Sequence, residues 1–163
     1  MLLVALDIEG CASLVVEQAQ VLALALGESL TLCTAVDLPP GLSVDAHLAG
    51  FEPERPPLAL LEKEAKAALE SLSTSARAAG ISVRTQVLDG PPVEAVLAAV
   101  DTFQPRMLVV GTHGRRGLER FFLGSVAERI IRESTLPVLV VPGPGTEPHP
   151  SALRMALSAE GDG

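Results

Sequence analysis

Val109-Val110-Gly111-Thr112-His113-Gly114-Arg115-Arg116-Gly117-Leu118-Glu119-Arg120-Phe121-Phe122-Leu123-Gly124-Ser125-Val126-Ala127-Glu128 runs from the end of an apolar strand, through two glycine turns, to the start of a helix. In open α/β sheets the carboxyl edge of the strands is where ligands bind, at the point where the strand order reverses. Gly111 and Gly114 bracket a tight turn whose backbone can approach a ligand closely. Gly124 and Ser125 open the next helix, whose first N–H groups lack intrahelical partners and, with the helix dipole, attract anions. Each part also has a plain structural reading: glycine after a strand is often only a turn, and Ser125 with Glu128 reads as a capping box. The combination is more specific than its parts. Six of the 12 basic residues, Arg106, Arg115, Arg116, Arg120, Arg129 and Arg132, fall in or beside this stretch, opposed there only by Glu119 and Glu128.

The pattern outward from this stretch alternates strand and helix. Leu2–Leu6 reads as a strand buried on both faces. Residues from about Cys11 to Leu26 follow helical spacing along Leu14, Val15, Gln18, Leu22 and Leu26, with Gly27 as a stop. Leu30–Val36 is a second strand. A Pro-rich passage, Asp37–Pro57, separates it from the clearest helix, Leu58–Ala79, whose stripe is Leu58, Leu61, Ala65, Leu69, Leu72, Ala76 and Ala79. Alternating Ile81, Val83, Thr85 and Val87 make a third strand. The next helix has Val93, Val96, Leu97, Val100 and Phe103 on its apolar face. Met107–Val110, Ser125–Ser134 and Val138–Val141 complete the series as strand, helix and strand. This alternation predicts one domain built on a parallel α/β sheet with right-handed crossovers. From Pro142 the composition turns Pro- and Gly-rich, so residues 143–163 are expected to be a tail outside a 1–142 domain.

Composition narrows the function. The chain has 163 residues, 48% of them hydrophobic, and a net charge of −8. An acidic chain repels nucleic acid and anionic membranes, and with no Trp or Tyr and four Phe it cannot build a base-stacking surface. No nucleic acid and no membrane partner is expected, and no run reaches the ~18 apolar residues of a membrane span. Cys11 and Cys33 have neither metal-ligand nor redox spacing, and the amino terminus lacks the basic start of a signal peptide. A cytoplasmic location follows as the expectation. Walker and Gly-x-Gly-x-x-Gly phosphate motifs are missing.

Gly111-x2-Gly114-x9-Gly124-Ser125 matches, spacing included, the Gly-x2-Gly-x9-Gly-Ser/Thr signature of ATP-binding universal stress proteins, and over Met1–Pro142 the chain resembles that family. Leu3-Val4-Ala5-Leu6-Asp7 resembles its first strand and adenosine-side Asp, Val87–Pro92 its third-strand exit, and Leu136–Val141 its last strand. The resemblance implies an open five-stranded parallel sheet of the adenine-nucleotide alpha-hydrolase-like type, strand order 3-2-1-4-5, with helices on both faces. It implies a site for ATP, or ADP or AMP. Asp7 and the neighbouring Leu6 would lie by the ribose or adenine, with Ala5, Ala35, Val36 and Val110 lining an adenine pocket. Gly111 and Gly114 would pass under ribose and the first phosphates with Arg115 nearby as a further binding residue, and Gly124, Ser125 and Val126 would hold phosphates. Glu9 replaces the family's usual Ser, and an acid near phosphates calls for Mg²⁺ or Mn²⁺. A homodimer through Val138–Val141 is also implied, an open edge strand inviting such pairing.

No water-activating residue is evident, so slow or absent hydrolysis is expected. His47 and His149 read as surface residues, and His113, inside the glycine turn, as pointing to solvent. The expected function is that of a nucleotide-dependent switch or sensor in stress response. The alternatives are a dimeric interaction protein with a vestigial pocket and a slow ATPase.

Overall fold

The computed structural model describes residues 1–8, 10–37, 58–112 and 123–143. Residue 9 and residues 38–57, 113–122 and 144–163 lie outside them. The elements run β1 (Leu2–Ala5), α1 (Ala12–Leu26), β2 (Leu30–Val36), α2 (Leu58–Ala78), β3 (Val83–Asp89), α3 (Pro92–Phe103), β4 (Met107–Gly111), α4 (Ser125–Glu133) and β5 (Val138–Val141). All neighbouring strands are parallel, and their order is β3-β2-β1-β4-β5, as the resemblance implied. β1 is central and fully apolar because both its faces are covered.

Alternation along each strand sends side chains to two separate cores. Leu2, Val4, Leu30, Leu32 and Val109 pack under α1 and α2, while Leu3, Cys33, Leu108 and Val110 pack under α3 and α4. Leu2, Leu3, Leu32 and Leu69 are fully buried; truncating any one to Ala would cost about 2–5 kcal/mol.

The buried face of α1 differs from the expected stripe. Ala12, Val15, Val16, Ala19 and Ala23 go into the core, while Gln18 and Leu26 face solvent. A helix bedded on a sheet turns its small residues inward so that its axis can approach the strands, and its larger apolar residues then flank the contact. On α2 the buried residues are Ala65, Leu69, Ser73 and Ala76, and the predicted Ala79 is exposed because the helix ends at Ala78. Gly27 ends α1 as expected: at φ +66° it takes the left-handed cap conformation, and its N–H donates to Ala23 O.

Candidate functional site

β1 leads to α1 on one face of the sheet and β4 leads to α4 on the other. The two connections diverge between adjacent strands, and a crevice opens there at the carboxyl edge, at the reversal of strand order. A cavity of about 790 Å³ occupies it. Ten of the sequence-predicted site residues line this cavity: Ala5 at the end of β1 with Leu6 and Asp7 after it, Ala35 and Val36 at the end of β2, Val110 and Gly111 at the end of β4, and Gly124, Ser125 and Val126 at the start of α4. Gly114 and Arg115, like Glu9, His113 and Arg116, lie outside the described residues.

The start of α4 is not built as a capping box. Gly124 occupies the cap with extended backbone (φ −60°, ψ 146°) and no side-chain cap bond forms, so Ser125 is already the first helical residue. Gly124 takes the cap because its backbone is tied in place: its N–H donates to Thr112 O at 2.8 Å, and its carbonyl accepts from Glu128 N–H at 2.9 Å. The amides of Ser125, Val126 and Ala127, which have no intrahelical acceptor, therefore begin at the cavity wall. Glycine here is a matter of backbone approach, since a Cβ on Gly124 would stand 2.9 Å from Thr112 O. At Gly111 a Cβ would meet Val15 Cγ2 at 3.0 Å and Cys11 Sγ at 3.2 Å, so this glycine admits α1 rather than a ligand.

Thr112, which sequence reading passed over, ties three segments together. Besides holding Gly124, its N–H donates to Val141 O at 2.9 Å and its Oγ1 accepts from Gly143 N–H at 2.9 Å. The described structure thus stays bonded to the core one residue past Pro142.

The arginine cluster does not act as one group. Arg106 precedes β4 at the opposite edge of the sheet and pairs with Glu28 at 3.1 Å. Arg129 bridges Glu94 of α3 (3.1 Å) and Glu133 (3.2 Å), clipping α4 to α3. The hydrogen bond to Glu133 and then that to Glu94 raise the Arg129 pKa. The pKa of Glu94 is lowered by a hydrogen bond from its own backbone N–H and then by Arg129.

The remaining cavity wall comes from α1 (Cys11, Ala12, Val15), α2 (Leu61, Glu64, Ala65), α3 (Pro92, Val96) and the Cys33–Asp37 end of β2. With Ile8, Thr112, Ala127 and Ile130 completing it, this lining is apolar apart from Thr34, Thr112 and the carboxylates of Asp37 and Glu64. Asp37 and Glu64 put carboxylates where β2 and α2 line the cavity, Asp7 adds one after β1, and the start of α4 adds helix amides. Burial pushes the Cys33 thiol up to about 12, which keeps it neutral and unreactive at neutral pH. Among the described residues no three metal-ligating side chains converge, and no helix is long and apolar enough to cross a membrane.

A model of the universal stress protein family matches residues 1–142. The chain belongs to the universal stress protein family. It is 39% identical over 88 residues to a universal stress protein of Methanocaldococcus jannaschii, a match covering 54% of this chain and 52% of that one. The chain spans about half the length of this curated relative and of two others. Among solved structures, a second universal stress protein of the same organism superposes with a TM-score of 0.71 at 24% identity, covering 86% of this chain and 94% of that one. A universal stress protein in complex with cAMP superposes with a TM-score of 0.62 at 25% identity, covering 86% of this chain and 94% of that one.

Proposed function

We propose that this universal stress protein binds an adenine nucleotide, ATP by its glycine signature, in the cavity between β1 and β4, as a cytoplasmic sensor or switch in stress response that hydrolyses its ligand slowly or not at all. The observation that carries the reading is the uncapped start of α4 opening on an aliphatic cavity. Backbone amides and a helix dipole suit phosphates, and the apolar wall suits a purine ring. The cavity's volume is within the usual range for small-molecule sites, about 300–1,000 Å³. The cAMP complex of a family member supports the ligand class.

In this reading Asp7, exposed on the cavity wall beside Ala5 and Leu6, meets the ribose. Ser125 supplies its hydroxyl and amide to a phosphate, with Val126 and Ala127 adding amides. Gly114 and Arg115 belong to the same proposal through the signature, as do Mg²⁺ or Mn²⁺ at the phosphates and a homodimer through the β5 edge. Titration of the full chain with ATP tests the site: saturable binding of one nucleotide per chain is expected. No binding by ligand-free protein would leave the interaction-protein alternative.

A further inference from the structure

Among the described residues, Thr34 is the buried polar side chain with no hydrogen-bond partner in the core. It is 5% exposed and lies on the β2 face shared with Leu30 and Leu32, under α1 and α2. The other two buried hydroxyls among the described residues are bonded: Thr31 Oγ1 donates to Met1 Sδ at 3.1 Å and Ser73 Oγ to Glu70 O at 2.7 Å. The Thr34 hydroxyl makes no hydrogen bond to a described residue. Yet no buried side-chain oxygen among the described residues is sealed off without a partner. The Thr34 oxygen therefore opens on the cavity that the residue lines. An unbonded hydroxyl in so buried a residue is unfavourable unless something completes it.

Its place in the fold says which part of a ligand that is. β2 is two strands from β4, about 10 Å across the sheet edge at ~4.8 Å per strand. Its surroundings, Ala35, Val36, Leu61 and Ala65 with the carboxylates of Asp37 and Glu64, repel a phosphate and accept a neutral ring. We propose that the Thr34 hydroxyl is the hydrogen-bonding contact for the nucleobase, at the end of the cavity remote from the helix that receives the phosphates. A hydroxyl can donate to a ring nitrogen or accept from an exocyclic amine, and a purine edge offers both. The assignment rests on the nucleotide reading of the same cavity.

The test is calorimetric titration of the full chain with ATP and, separately, with adenosine. Thr34→Val removes the hydroxyl at constant shape and should weaken both ligands by about three- to tenfold. Thr34→Ser should stay within about twofold of the wild type, since it keeps the donor and acceptor. Ser125→Ala should weaken ATP alone. The melting temperature of ligand-free Thr34→Val should not fall; if it does, Thr34→Ala must reproduce the affinity loss. Equal binding of both ligands by Thr34→Val overturns the assignment while leaving the site intact. A loss confined to ATP overturns it too, placing the hydroxyl at the phosphates. A wild type that binds neither ligand overturns the nucleotide reading itself, and this assignment with it.

Discussion

Helices α1 and α4 begin on the same crevice, one on each face of the sheet, and neither has a side-chain cap. What enters them differs. The chain reaches α1 through Asp7 and Glu9, and α4 through Arg115, Arg116 and Arg120. The start of α1 closes by packing, with Ala12 and Val15 buried and Val15 and Cys11 filling the space left by the missing side chain of Gly111. The start of α4 leaves Ser125 and Val126 exposed at the cavity. Any helix start attracts anions through its unpaired amides. First-turn packing makes one start a wall and leaves the other exposed at the cavity, where the proposed phosphate would sit.

The largest effect that should break this comparison is Gly124→Val. Its Cβ would meet Thr112 O at 2.9 Å, so the start of α4 must move. A loss of about 1–3 kcal/mol in stability is expected, together with loss of measurable ATP binding. Denaturant melts and an ATP titration of the variant check both. Unchanged binding would show that the start of α4 takes no part in the site.

A charge swap sharpens the comparison. Ser125→Asp puts a carboxylate where an anion is expected. It should raise the stability of the ligand-free protein by about 0.3–1 kcal/mol through the helix dipole while lowering ATP affinity by at least about tenfold, since like charges oppose. Ser13→Asp, in the first turn of α1, should give a similar gain in stability and change ATP affinity by less than about threefold. Equal losses of affinity from the two variants would erase the distinction between the helix starts.

The smallest effect lies away from both helix starts. Glu70 of α2 joins Arg77 and Thr85 of β3, and the hydrogen bond from Arg77, then that from Thr85, lowers its pKa. A carboxylate with a depressed folded-state pKa adds stability above its unfolded value of 4.5, and that stability is lost as pH falls through the lower folded value. Glu70→Gln should therefore flatten part of the acid limb of the stability profile below about pH 4.5 and leave ATP affinity at neutral pH unchanged. An affinity change would mean that the α2–β3 contact reaches the cavity.

The sequence made the order of elements legible because strand and helix periods alternate cleanly, and the expected bounds of β2 and β5 coincide with the structure. The glycine spacing identified both ends of the α4 connection. Residues whose roles depend on a partner distant in sequence were harder to read. The serine–glutamate pair at 125 and 128 suggested a cap, but the cap falls on Gly124 because Thr112 O holds its amide. Helical spacing alone carries the α1 stripe through Gln18 to Leu26, whereas the sheet takes the alanines that let the helix approach. Thr34 carries no sequence signal: a threonine in an apolar strand is ordinary, and only the cavity beside its hydroxyl distinguishes it. Arg129 looked like part of an anion site until Glu94 and Glu133 supplied its partners.

Titration of the ligand-free full chain with ATP and Mg²⁺, followed by calorimetry and by melting temperature, tests the central claim most directly. The account predicts one saturable site per chain. At a hundred times the dissociation constant, ligand should stabilise the fold by about 2.7 kcal/mol, a rise in melting temperature of roughly 5–10 °C for a domain of this size. No heat and no shift from protein freed of any nucleotide would contradict it.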